Sequence, residues 1–249
     1  MTHATHPLRL LQLRFPAIPL RPHHIPQFRG GVIESAGREN DLFHNHKPDG
    51  SNDQRPALIQ YRVVQGCAAI WGIGEGANAL ERWWLSAPDA LHFGGRTYPL
   101  QAAEVRRENF QLGMAPHWKY YRLHDYLALN TENYLRWLDT PHLVGRAELL
   151  DSMLTGHLLG FCETAGWQLP ERLEAQVVDI HQRKKTRYHD TNLMAFEITY
   201  RCNIILPEGI ALGKAVSHGF GVQWPVLKLE ENPTSNSTQK TTKNTLVSM

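Results

Sequence analysis

Cysteine is scarce. The 249-residue chain has three, Cys67, Cys162 and Cys202, too few, too scattered and odd in number for a disulfide framework or a cysteine-based zinc site. That usage fits a reducing cytoplasm. Long apolar runs are absent as well, and the first residues, MTHATHPLRL, lack the apolar stretch of a secretion signal, so no membrane partner is expected. Nor does charge of one sign dominate: 26 Lys and Arg stand against 24 Asp and Glu, for a net charge of +2, and bulk charge therefore selects no partner. What remains is an ordinary soluble composition, 42% hydrophobic and 20% charged, long enough for one large domain or two small ones with real cores.

The placement of charge says more than its sum. Arg183, Lys184, Lys185 and Arg187 form a tight basic cluster. Such a cluster suits a nucleic-acid backbone, and it equally suits a solvated loop or strand edge.

Hydrophobic periodicity orders the chain. Residues 8–15, LRLLQLRF, alternate as a strand. A short helix is expected over 27–35, weakened by Gly30 and Gly31. The runs 57–64 and 67–71, joined by Gln65-Gly66, read as a hairpin. A helix over 75–84 and strand-like pieces near 90–100 and 103–112 follow. Strand, helix, hairpin, helix, strand is the order of a ferredoxin-like sandwich. A boundary is expected at 113–116, where glycine and proline cluster. Beyond it come a strand-like run over 117–129, a short helix over 132–138 and a longer one over 141–165 with a leucine face. Two β-rich runs, 174–183 and 193–206, should flank the basic cluster, with a last strand over 222–229. The tail 230–249, ENPTSNSTQKTTKNTLVSM from its second residue, reads as disordered. The expected organisation is thus an α+β chain with domains at 6–113 and 114–229.

Two motifs fail on inspection. Gly209 to Ala215 is one residue short of a phosphate-binding P-loop and has alanine where a magnesium-binding hydroxyl belongs. Gly72-Ile73-Gly74-Glu75-Gly76-Ala77 matches a loose dinucleotide fingerprint, but its strand is the second arm of a hairpin rather than part of a parallel βαβ unit.

The stretch Leu42-Phe43-His44-Asn45-His46 is harder to dismiss. Two histidines two residues apart point the same way if the segment is extended. They could hold a metal with a third ligand such as Asp41 or Asp49, merely bond within the scaffold, or act without metal. RNA carries its own nucleophile, the 2′-hydroxyl, so a metal-free enzyme needs only a base, an acid and a cation at the phosphate. Imidazole suits both proton transfers.

The C-terminal half offers a complement. From Gly209 through Gly213, Lys214, Ser217, His218, Gly219, Phe220 and Gly221, glycines are too dense for a regular strand or helix. Such a loop exposes backbone N–H groups to a phosphodiester, with Lys214 and His218 as phosphate partners. Phe220 could anchor the loop or stack on a base.

This loop, the L-F-H-N-H stretch, the strand Pro56-Ala57-Leu58-Ile59-Gln60-Tyr61-Arg62-Val63, the run from Ile70 to Ala77, Leu143-Val144-Gly145, and Met194-Ala195-Phe196 leading to Asn203 and Leu206-Pro207 together resemble one branch of the RAMP superfamily. That branch comprises CRISPR-associated endoribonucleases that process precursor RNA. The resemblance spans about residues 28–224. It implies two tandem ferredoxin-like (RRM-like) domains, the second carrying the glycine-rich loop. It also implies cleavage within the repeat that uses no metal and no cofactor and leaves a 2′,3′-cyclic phosphate and a 5′-hydroxyl. By matching position His44 and His46 would be catalytic, and Arg29, Arg38, the basic cluster and the loop residues from Gly213 to Gly221 would hold RNA. The partners implied are CRISPR repeat RNA, the guide RNA it yields, subunits of an effector complex and a second copy of the chain, in a prokaryotic cytoplasm. Two features depart from the branch: no tyrosine stands in the turn after the histidines, and Arg29 and Arg38 precede them in place of a lysine.

Overall fold

The structure, a computed structural model, describes residues 5–37, 40–44, 56–100, 103–188 and 191–226. His46, Arg38, the turn that follows the histidines and the tail 230–249 lie outside them.

Strand β1 (His6–Pro19) leads through a short turn to helix α1 (Ile25–Ala36) and a single helical turn, α2 (Asp41–His44). Strands β2 (Ile59–Val64) and β3 (Cys67–Ile73) pair antiparallel through Gln65 and Gly66, both at positive φ, the backbone of a tight two-residue hairpin. Helix α3 (Glu75–Leu85) follows, then the small hairpin β4 (Ala90–Phe93) and β5 (Arg96–Pro99), then β6 (Glu104–Tyr126). The order β2-β3-β1-β6, antiparallel throughout, is that of a ferredoxin-like sheet. Since β3 runs antiparallel to both neighbours, the glycines at 72–76 belong to no parallel βαβ unit.

The second half repeats the pattern. After β6 come α4 (Thr131–Asp139), α5 (Leu143–Thr164), β7 (Ala175–Tyr188), β8 (Thr191–Ile205) and β9 (Val222–Pro225). Their order is β7-β8-β6-β9. The segment between β8 and β9, where a second crossover helix would stand, is the glycine-rich stretch with one 3-10 turn, Val216–His218. The chain is thus two tandem ferredoxin-like domains that share one strand. β6 pairs with β1 up to Leu112 and with β8 from Gly113 onward.

That continuity corrects the sequence reading at 113–116, where a break between strands is expected. The register shifts between Met114 and Lys119, so Pro116, which has no N–H to donate, sits in a bulge rather than at a strand end. The basic cluster is corrected too. Arg183, Lys184 and Lys185 lie within β7, paired with Phe196, Ala195 and Met194, and Arg187 pairs with Asn192 near the hairpin's end.

β1 explains how the halves hold together. Leu11, Leu13 and Phe15 face a cluster with Ile25, Phe28 and Val32 of α1 and Leu80 and Trp83 of α3. Leu8 and Leu10, on the other face, join a cluster with Leu150, Leu154 and Leu158 of α5, Ile198 and Tyr200 of β8, and Leu206, Ile210 and Leu212. The apolar alternation shifts phase at Leu10-Leu11, so the strand buries one face near its start and the other beyond it. Gly31 survives inside α1 because a Cβ there would stand 2.9 Å from the His92 carbonyl oxygen of β4.

Candidate RNA site

His44 closes the short turn α2, which is held from three sides. Phe43 is buried and meets the Trp83 ring edge-to-face at 6.1 Å. The Tyr61 hydroxyl donates to the Phe43 carbonyl at 3.2 Å, and Arg29 of α1 donates to the His44 carbonyl at 2.6 Å. Burial raises the Tyr61 pKa far above its ordinary value, so the phenol stays protonated and keeps its role as donor. The side chain of His44 is half-buried, its Nε2 3.7 Å from Asp41 Oδ1. The geometry here is helical, not extended, so the premise that both imidazoles align on one side of an extended segment does not hold at His44.

The glycine-rich loop returns to the same place. A Cβ on Gly219 would stand 2.6 Å from Ile25 Cδ1 of α1 and 3.4 Å from the Tyr61 carbonyl oxygen. The loop therefore rests on the two elements, α1 and β2, that hold the histidine turn. Gly213 and Gly221 have positive φ, and Ala215, at φ 54°, takes the left-handed conformation without being glycine. Lys214 is exposed on the loop and donates its backbone N–H to the Leu127 carbonyl at 3.1 Å. Ser217 is buried, its hydroxyl 3.2 Å from His218 Nδ1, so it faces the loop's interior. Phe220 is half-buried.

Sequence reasoning misses four polar side chains that root this loop. Gln60 exchanges two hydrogen bonds with Ala211, donating to its oxygen at 3.2 Å and accepting from its nitrogen at 2.9 Å. Arg62 donates to the Gly209 carbonyl and, at 2.7 Å, to Gln60 Oε1, while its guanidinium lies 4.3 Å from the Trp71 ring centroid. Burial brings the Arg62 pKa down to about 9, and it remains a cation at neutral pH. From the second domain, Gln223 donates to the Pro207 carbonyl at 3.0 Å and accepts from the Tyr200 hydroxyl.

Beneath the loop, His157 of α5 shares a hydrogen bond of 2.7 Å between its Nδ1 and the Tyr126 hydroxyl, and burial, with the nearby Lys214 charge, drives its pKa down from 6.5 to about 4. The unfolded chain takes this proton near the ordinary value and the folded chain resists it. Stability is then complete above pH 6.5 and falls as pH drops toward 4, by roughly 2–3 kcal/mol. Denaturant melts between pH 7 and 4 should show that decline in the wild type, and the His157→Gln variant should lack most of it. Parallel declines would contradict the assignment.

The basic cluster lies apart from the histidine turn, on β7 at the far edge of the sheet. Arg183 and Lys185 are exposed, and Lys184 is ion-paired with Asp125, the residue whose carbonyl accepts from the Gly221 N–H at 3.1 Å. The cluster thus reaches the glycine-rich loop through Asp125. None of the helices among the described residues is long and apolar enough to cross a membrane.

Two family models cover most of the chain: the Cas6b N-terminal domain over residues 6–111 and the Cas6b C-terminal domain over 113–225. A crystal structure of Cas6b is 22% identical, with a TM-score of 0.79 over 89% of this chain and 100% of that one. A crystal structure of CRISPR RNA processing endoribonuclease Cas6b is 20% identical, with a TM-score of 0.69 and the same coverage. An uncharacterized protein of Methanocaldococcus jannaschii is 28% identical over 130 residues, 52% of this chain and 84% of the relative. The two models meet within the shared strand β6, one ending at 111 and the next beginning at 113, and together they place the chain in the Cas6b family.

Proposed function

We propose that this chain is a metal-independent endoribonuclease that cuts CRISPR precursor RNA within its repeats and keeps the resulting guide RNA for an effector complex. The observation that carries the reading, beyond family membership, is the convergence on α1 and β2 of His44, held through Arg29 and Tyr61, and the glycine-rich loop. On this reading His44 and His46 supply base and acid, the 2′-hydroxyl attacks the adjacent phosphate, and the 5′-oxygen leaves with a proton. The products are a 2′,3′-cyclic phosphate and a 5′-hydroxyl. Arg29, beside the histidine turn, and Arg38 would offset charge on the phosphorane. Arginine stays protonated and cannot act as the base.

The same reading gives the 6–113 domain the chemistry and the 114–229 domain the grip. Lys214, His218, Phe220 and the glycines from 213 to 221 would follow the RNA backbone, with Arg183, Lys184, Lys185 and Arg187 extending the track along β7. Lys185 is the sharper test because Lys184 already has Asp125 as a partner. Lys185→Ala should flatten the dependence of log affinity on log salt by about 0.7 for a lost single-strand phosphate contact. An unchanged slope would remove Lys185 from the interface.

The deciding experiment is cleavage of the labelled repeat RNA in EDTA, beside the same RNA with a 2′-deoxy residue at the cut. Cutting in EDTA that the 2′-deoxy substitution abolishes is the expected result. Tight binding without cutting, with or without added divalent metal, would leave a protein that only holds repeat RNA.

A further inference from the structure

The glycine-rich loop and the histidine turn come from opposite ends of the sequence, yet three consecutive residues of one strand hold both. On β2, Tyr61 faces the first domain's helices and donates to the Phe43 carbonyl, one residue before His44. Its neighbours Gln60 and Arg62 point through the other face of the sheet, where Gln60 pairs with Ala211 and Arg62 with Gly209. All three are buried, at 1%, 0% and 3% exposure for Gln60, Tyr61 and Arg62.

We propose that Gln60, Tyr61 and Arg62 are positioning residues that set the histidine turn and the glycine-rich loop at a fixed separation across β2. The inference rests on the endoribonuclease reading above and adds to it the device that brings base, acid and phosphate grip into register. Two features argue for a spacing role rather than simple core filling. Residues 60 and 62 lie about 7 Å apart on an extended strand, and they engage loop residues 211 and 209, also two apart and in antiparallel sense. The side chains thus tie β2 to a segment whose backbone pairs on its other side with residues 221–223, through the Ala211–Val222 bridge and its flanking hydrogen bonds. Moreover, a fully buried cation is expensive to keep, and methionine or leucine would fill the same volume, whereas Arg62 supplies two directed donors. Displacement of a reacting group by about 1 Å can cost on the order of a hundredfold in rate, so the Tyr61 tie to the histidine turn bears on rate, whereas the ties of Gln60 and Arg62 to the loop bear on how firmly the RNA is gripped.

The test is whether adjacent residues give opposite kinetic phenotypes. Single-turnover cleavage and equilibrium binding of the repeat RNA are measured for Tyr61→Phe, Gln60→Ala and Arg62→Met. Arg62→Lys serves as a milder second variant should Arg62→Met fold poorly, and thermal melting is recorded for all. Tyr61→Phe should lower the saturating rate by about tenfold with Kd unchanged. Gln60→Ala and Arg62→Met should raise Kd by about fivefold or more with the saturating rate within about threefold, and Arg62→Lys should fall between Arg62→Met and the wild type. Losses of rate and affinity that simply follow melting temperature in all variants would overturn the proposal. So would a rise in Kd for Tyr61→Phe. A wild type that does not cut would instead defeat the endoribonuclease reading, and the positioning is then read from the His44 imidazole resonances, assigned with His44→Gln. Tyr61→Phe should shift them and Arg62→Met should not; any other pattern overturns the proposal.

Discussion

Replacing His44 by alanine is expected to slow repeat-RNA cleavage by roughly 10²–10⁴-fold, the usual contribution of a positioned general acid or base, while affinity for the uncut RNA stays within about twofold. The two effects separate because His44 sits on a turn whose backbone, not its imidazole, is tied to Arg29 and Tyr61. Removing the ring leaves those ties intact. The pH profile adds an assignment. A base must be unprotonated and an acid protonated, so the rate–pH curve should rise through one group and fall through the other. If His44→Ala removes the low-pH limb, His44 is the base; if it removes the high-pH limb, it is the acid. His46→Ala should remove the complementary limb. A His44 variant that binds poorly and cuts in proportion would mean that the imidazole grips RNA rather than moving protons.

The second large effect belongs to Gly221. It has φ 70°, and a Cβ there would run into the Leu212 carbonyl oxygen. Its own carbonyl accepts from the Leu212 N–H at 2.8 Å and its N–H reaches the Asp125 carbonyl at 3.1 Å, so this residue closes the loop at its base. Gly66 in the β2–β3 turn has nearly the same φ, 75°, but nothing within 4 Å of an added Cβ. Gly66→Ala should therefore cost only the backbone penalty, about 1–2 kcal/mol. Gly221→Ala adds the collision and should cost about 3 kcal/mol or more, with a loss of RNA affinity that Gly66→Ala does not share. Denaturant titrations and RNA binding of the pair measure both. Equal losses would mean that the loop's base has room to open.

Much of this was readable in advance where one physical signal dominates. The helices α3, α4 and α5 follow from apolar spacing, and the hairpin at Gln65-Gly66 from its turn residues. The stretch 209–221 stood out because so many glycines fit no regular element. The misreadings share a cause: a local signal overruled by distant packing. Gly113 and Pro116 are ordinary strand breakers, yet β6 passes through them because β1 and β8 pair on either side of the bulge. The cluster at 183–187, expected between two strands, is itself strand: charge alone fits a loop or a strand edge equally, and pairing with β8 makes it part of the edge strand β7. Gln60 and Arg62 alternate with Ile59, Tyr61 and Val63, and such alternation normally marks a solvated face. Here the second domain covers that face, and a one-strand pattern carries no trace of a neighbour 150 residues away. The histidine turn was found by its residues, while the tie from Tyr61 that holds it has no signature in spacing at all.

The shared strand β6 has a further consequence. Tandem domains joined by a linker can swing, and a nucleic acid then selects their angle as it binds. Here the connection is itself sheet, with Leu8, Leu10, Ile73 and Leu112 of one domain packed in a single cluster with Leu206, Ile210 and Leu212 of the other. The angle between the halves is settled when the chain folds, so little orientational entropy is left to lose on meeting RNA. On the endoribonuclease reading proposed above, such a protein would work as a rigid gauge, favouring an RNA whose shape already fits or can cheaply be made to fit.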